Sequence, residues 1–143
     1  MTNKEKLIYL AGLIDGEGWI GISIQKPRNI TGNPVYLPNI TIKMTDRKPL
    51  EIASSILGKK VYTHKTLPSG LTPYSWRLIN APFVIPALEK LLPFLITKKK
   101  VAKVVLKYCY RIKGTRPAKR LPKKEIAHRH TIYITCKELN AFN

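Results

Sequence analysis

Apolar residues along the chain change their spacing block by block, and each block predicts an element. Leu7, Leu10, Ala11 and Ile14 keep the three-and-four spacing of one helical face, which predicts a helix over 4–15. From Trp19 to Lys26 the period falls to two. Ile20, Ile22 and Ile24 point one way and Trp19, Gly21, Ser23 and Gln25 the other, as in a half-buried strand. Turn formers (Asn29, Gly32, Asn33, Pro34) make 27–38 a loop or hairpin tip. A second strand over 39–44 sets Ile40, Ile42 and Met44 inward and Asn39, Thr41 and Lys43 outward.

Asp46 can cap a second helix, with Pro49 in the first turn, Leu50, Ala53, Ile56 and Leu57 on its apolar face, and Gly58 as its stop. Strands at 60–66 and 74–79 follow, joined by a turn at Pro68-Ser69-Gly70. Alternation gives Thr63, Lys65, Ser75 and Arg77 the polar face and Tyr62, Trp76 and Leu78 the other. A third helix opens at Asn80-Ala81-Pro82 and ends near Leu92. Thr97 caps a fourth, running to Ile112, whose buried side carries Val101, Val104, Val105 and Tyr108. Residues 114–122 form a connection rich in proline and lysine, and Thr135 to Glu138 has the capping-box spacing of a short C-terminal helix. Four antiparallel strands with helices on one side make an α+β domain. At 143 residues the chain is one domain, with a core at about 4–112 and a basic extension at 113–143.

Charge sharpens this picture. A formal charge of +18 and a pI near 10.1 call for a polyanionic partner, nucleic acid first. An anionic membrane surface is the rival, but it needs a basic amphipathic helix rather than this much strand. No apolar run is long enough to span a bilayer, so no membrane partner is expected. The N-terminus lacks a secretory apolar region. Cys109 and Cys136 read as reduced thiols of an intracellular protein, cytoplasmic or nucleoid-associated, or organellar in a eukaryote. His64, His128 and His130 lack zinc-site spacing with the cysteines.

Between Lys98 and Arg129 lie thirteen Lys/Arg and one acid, Glu125. Singly these residues fit a solvated helix face. Together they read as phosphate contacts, which position a nucleic acid without reading it. The Ser, Thr, Asn, Gln, Lys and Arg of the outward sheet face are side chains that hydrogen-bond to base edges. A solvated face is the alternative in a less basic chain.

The candidate chemistry sits in Leu10 to Gly18, reading LAGLIDGEG. The glycines of Asp15-Gly16-Glu17-Gly18 end the first helix and leave two carboxylates at its tip, in a chain with only eight acids. Gly12 and Gly16 lie four apart beside Ala11 and permit close approach of another helix. A buried helix with small packing residues is the plainer alternative. The stretch resembles the LAGLIDADG motif of the homing endonucleases, matching seven of nine letters, with Gly16 for Ala and Glu17 for Asp.

The resemblance implies an αββαββα core whose saddle-like sheet lies on DNA, with extra C-terminal helices. It implies a homodimer paired through Ala11, Gly12 and Leu13. The function implied is site-specific double-strand cleavage of a long pseudo-palindromic target by an intron-encoded enzyme. Hydrolysing a phosphodiester needs an activated water and a stabilised leaving oxygen. Divalent ions held by hard oxygens meet both needs, so Mg²⁺ or Mn²⁺ is the expected cofactor. By position Glu17 matches the metal-binding acid, with the Gly16 carbonyl as second ligand. Asp15 has no fixed catalytic role in the family. Asp46 falls where a polar residue orients water, or serves only as an N-cap. Lys98 matches a basic residue near the scissile phosphate, with Arg47 and Lys48 as lesser candidates. The saddle assigns DNA contacts to Ser23, Gln25, Lys26, Arg28, Asn39, Thr41, Lys43, Thr63, Lys65, Ser75 and Arg77. Lys99, Lys103 and Lys119 are assigned to phosphates. An RNA-binding intron maturase and a non-cleaving DNA-binding protein are the alternatives on this fold.

Overall fold

The structure is a computed structural model and describes residues 1–26, 32–115 and 121–141. Its first helix, α1 (Asn3–Glu17), opens on a capping box: the Thr2 hydroxyl accepts the Glu5 N–H and the Glu5 carboxylate accepts the Thr2 N–H. It runs through Gly16 to Glu17, so Gly16 does not end it. Gly18 takes over in extended backbone, φ −95°, without the left-handed turn that glycine usually supplies. The need for glycine there is one of space. A Cβ on Gly18 would lie 2.8 Å from the Ile14 Cα.

Strands β1 (Gly18–Gln25) and β2 (Val35–Met44) form an antiparallel pair with Gly18 opposite Ile42 and Gln25 opposite Val35. Helix α2 (Arg47–Leu57) follows, then β3 (Tyr62–Thr63) and β4 (Tyr74–Ile79). The four strands make one antiparallel sheet in the order β1-β2-β4-β3. Helices α3 (Ala81–Leu91), α4 (Lys99–Ile112) and α5 (Lys123–Ala141) complete the chain. This is the expected α+β order. Asp46 caps α2 by accepting the Lys48 N–H at 3.1 Å, and Gly58 ends it at φ 82°.

The core lies between one sheet face and the helices. Ile20, Ile22, Tyr36, Ile40, Ile42, Trp76 and Leu78 meet Leu10, Ile14, Leu50, Leu88, Val105 and Tyr108, all buried. Each fully buried Leu or Ile contributes roughly 1.5–3 kcal/mol. Polar atoms inside are satisfied: the Trp76 indole N–H donates to Gly58 O at 2.8 Å, and the Tyr108 hydroxyl to Tyr36 O at 2.8 Å.

β2 begins at Val35, four residues inside the expected loop, and three further expectations change. β3 has two residues instead of seven, although its hairpin continues through His64 N–H to Pro73 O and Leu67 N–H to Leu71 O. Its register places Tyr62 opposite Ser75 and Thr63 opposite Tyr74. Tyr62 therefore shares the outward face with Ser75, and Thr63 falls on the other side, a one-residue slip that exchanges the faces. Tyr62 is accordingly 64% exposed, where alternation predicted burial. The second change is at α4, which begins at Lys99 with Lys98 as its cap residue in place of Thr97.

The third is α5, which is 19 residues long rather than a short terminal turn. It packs on β1 and α4. The Asn140 amide donates to Ile20 O at 2.9 Å, and the Tyr36 hydroxyl meets His130 Nδ1 at 2.8 Å. Glu125 joins Arg111, at 2.8 Å, to Arg129, at 3.1 Å, so the one acid in the basic run fastens α5 to α4. Cys109 and Cys136 are buried and free. Burial pushes the Cys109 thiol up to about 12 and the Cys136 thiol up to about 11. Among the described residues no helix is long and apolar enough to cross a membrane.

Candidate active site and nucleic-acid interface

The tip of α1 is built by a clamp that the sequence did not announce. The two carboxylate oxygens of Asp15 accept the Ile96 N–H at 2.8 Å and the Lys98 N–H at 2.9 Å. In return the Lys98 ammonium donates to the Asp15 carbonyl at 2.8 Å. A cation at the carbonyl end of a helix is favourable, and Lys98 is nearly buried there. Asp15 is thus held by the chain entering α4, and its carboxylate is turned away from the tip.

Glu17 differs in every respect. It is exposed, and among the described residues no hydrogen bond or ion pair engages its carboxylate. The Gly16 carbonyl beside it belongs to the last turn of α1, where carbonyls lack an intrahelical partner. Both are hard oxygen donors of the kind that Mg²⁺ or Mn²⁺ accepts, so the donor chemistry fits a divalent ion. The set within one protomer is sparse. Among the described residues no cluster of three His, Cys, Asp or Glu side chains could hold a metal alone. The remaining coordination positions would fall to phosphate oxygens, water or a second copy of the tip.

The structure brings Asp15, Gly16, Glu17 and Lys98 together. Asp46 lies at the same end of the sheet, because Gly18 pairs with Ile42 and β2 runs on past that pair to Met44. One of its oxygens is engaged by the α2 cap. Arg47 is turned to other work: it pairs with Glu51 at 2.9 Å, donates to Thr63 at 3.3 Å and covers the Tyr74 ring. Lys48 is exposed.

On the open sheet face Gln25, Lys43 and Arg77 stand exposed, with Lys26 beyond the end of β1 and Lys65 on the β3–β4 hairpin. Ser23 and Thr41 are half-buried, and both are bonded to Asn39. Asn39 itself is 4% exposed, so its amide is committed to the sheet and is not presented outward as expected. Thr63 leaves the face by the register slip. Tyr62 and His64 join it, with His64 Nε2 at 2.7 Å from Ser75 Oγ. Strand parity alone missed both residues, and only the pairing register reveals them. A Cβ on Gly21 would lie 2.6 Å from the ring of exposed Trp19, which would have to swing aside to admit it.

The basic run divides. Lys99 is half-buried at the start of α4, whereas Lys103 and Lys107 lie two residues either side of fully buried Val105. That spacing places them about 200° round the helix from it. Since α4 packs its Val105–Tyr108 face on β1 and β2, these lysines point away from the sheet, so Lys103, expected at phosphates, stands apart from the open face. Arg28 and Lys119 lie outside the described residues.

Ala11, expected at the dimer contact, faces the core of its own protomer. It is 0% exposed within its own protomer and has no surface to offer a partner. The exposed side of α1 carries Ile8, Tyr9, Gly12 and Gly16, with Leu13 half-buried. A Cβ at Gly12 or Gly16 would meet nothing within 4 Å.

No protein-family model and no curated protein matches the chain. Solved structures do. The homing endonuclease I-CvuI in complex with its target is 21% identical, with a TM-score of 0.75 over 96% of this chain and 83% of that one. The LAGLIDADG homing endonuclease I-LtrWI bound to target DNA is 23% identical, with a TM-score of 0.61 over 78% of this chain and 39% of that one. The archaeal intron-encoded homing endonuclease I-Vdi141I, complexed with DNA, is 18% identical, with a TM-score of 0.55 over 95% and 99%. The chain has the fold of the LAGLIDADG homing endonucleases.

Proposed function

We propose that this chain is a single-motif LAGLIDADG homing endonuclease that works as a homodimer. On this reading it makes a double-strand break in a long pseudo-palindromic DNA target by divalent-metal-dependent hydrolysis. The observation that carries the reading is the unequal treatment of the two acids at the α1 tip. The fold engages both oxygens of Asp15 and leaves Glu17 exposed and unpaired at the end of a rigid helix. An unpaired carboxylate in a chain of charge +18, on a fold shared with DNA-bound endonucleases, is unfavourable near phosphates unless it holds a cation.

Glu17 and the Gly16 carbonyl would hold the ion, Mg²⁺ or Mn²⁺. Bound there, the ion would lower the pKa of a water and stabilise the leaving oxygen. Lys98, pinned at the α1 carbonyls, adds a fixed positive charge beside the reacting phosphate. Asp46 has one oxygen in the cap and the other available to orient water. Gln25, Lys43, Ser75, Arg77, Tyr62 and His64 would read base edges from the sheet, and Lys26, Lys65 and Lys99 would contact phosphates.

The homodimer draws support from Gly12 and Gly16. An exposed glycine inside a helix costs roughly 1 kcal/mol relative to alanine, and nothing within the protomer requires either one. A second α1 approaching along Ile8, Tyr9 and Gly12 supplies the missing reason, and brings two Glu17 tips together for two strands. Incubation with a library of long duplexes and Mg²⁺, followed by sequencing of the ends, tests the whole reading. Absence of any discrete cut, with duplex binding intact, would leave the non-cleaving alternative in its place.

A further inference from the structure

The lysines that point away from the sheet have no role in reading a duplex on its open face. Lys100, Lys103 and Lys107 are exposed on the outer side of α4. The ion pairs among the described residues involve Arg47, Arg111 and Arg129 and leave these lysines out. Beside them a groove runs between α4 and α5, floored by Val104 and Ile132 and rimmed by Lys107, Arg111 and His128. Arg111 is paired with Glu125, whereas among the described residues no ion pair engages Lys107 or His128. Lys123 and Lys124 stand exposed at the start of α5 and extend the positive field, and no acid occurs from Lys98 to Lys124.

We propose that this α4–α5 groove and its lysines bind a single-stranded nucleic acid, on the side of the molecule opposite the duplex. The inference rests on the preceding reading only in taking the open sheet face as the duplex site. A uniform positive stripe without interspersed acids suits a uniform polyanion, which an acidic peptide with its own pattern of charges is not. The narrow groove with an apolar floor and cationic rims suits a flexible strand. Its bases can lie on the half-buried Val104 and Ile132 while its phosphates meet the rim. A duplex, too wide for a cleft between two packed helices, fits the sheet instead.

The test measures binding of the full chain to three labelled probes: a short oligo(U), a short oligo(dT) and a duplex, each at several salt concentrations. The triple variant Lys100→Glu/Lys103→Glu/Lys107→Glu should lose roughly tenfold or more in affinity for single strands and keep its duplex affinity. Its salt slope on single strands should fall by about two units, at about 0.7 per lost phosphate contact. A preference for oligo(U) over oligo(dT) would identify RNA as the strand, and the reverse DNA. Circular dichroism checks the fold, and the milder triple Lys→Gln variant replaces the Glu variant where that one is unfolded. Unchanged single-strand affinity would overturn the proposal, as would an equal loss on duplex, or competition by polyglutamate as effective as by oligonucleotide. Gln25→Ala/Arg77→Ala gives the separate control. If that variant keeps full duplex binding while the lysine variant loses single strands, the sheet reading fails and the groove stands.

Discussion

Asp15 and Glu17 are two residues apart and carry the same charge, yet the fold gives them different tasks. Asp15→Ala would strand the Ile96 and Lys98 N–H groups at the mouth of α4, a loss resembling that of a helix cap at about 1–2 kcal/mol. For a chain of this length that lowers Tm by roughly 4–8 °C, which differential scanning calorimetry would measure. Glu17→Gln should leave Tm within about a degree, because nothing in the protomer leans on its carboxylate. It should abolish cleavage while DNA binding survives. Full activity in that variant would remove the metal assignment. The motif made both acids visible in the sequence. It did not separate them, because the partners of Asp15 come from residues 96 and 98, 81 and 83 positions away.

Elements were legible where periodicity and caps agreed. Asp46 and Gly58 bracket α2, and the alternation of β1 and β2 matches their pairing. β3 was misread because two residues cannot establish a register, and its face is set by pairing with β4. α5 was underread because Ile126, Ile132, Tyr133 and Leu139 are spread among basic residues with no single greasy stripe. The direction of the α4 lysines was available: the spacing that buries Val101, Val105 and Tyr108 already sends Lys103 and Lys107 the other way. α5 also has a pH limit. The hydrogen bond from Arg111, helped by Arg129, holds the Glu125 carboxyl below its usual value of 4.5. A lowered carboxyl gives stability that is complete above about 4.5 and is lost as pH falls through the lower folded value. Protection of the amides across 123–141, corrected for their intrinsic exchange rate, should therefore fall below pH ~4, ahead of the core, and Glu125→Gln should show the lower protection at neutral pH.

At the scale of the whole molecule, composition points to a nucleic-acid partner but does not say how the charge is divided. The fold sends it to two sides, one through Gln25, Lys43 and Arg77 on the sheet and one through the back of α4. Assembly is the other property that one protomer leaves open. Gly12→Leu should wedge the paired α1 helices apart, leaving a folded species near 16.3 kDa by light scattering where the wild type is about twice that. A wild type found only at 16.3 kDa with DNA present would rule the pairing out.

The two cysteines give the molecule a clock. Cys109 and Cys136 are closed off at 0% and 1% exposure, from α4 and α5 respectively, and burial holds both thiols protonated at neutral pH. An aromatic disulfide reagent added to the native protein should find almost nothing to react with, and in denaturant it should titrate two groups per chain. Between those limits, the rate of colour development reports how often the α4–α5 layer opens. Cys109→Ser and Cys136→Ser variants would show whether the two helices part together or one at a time.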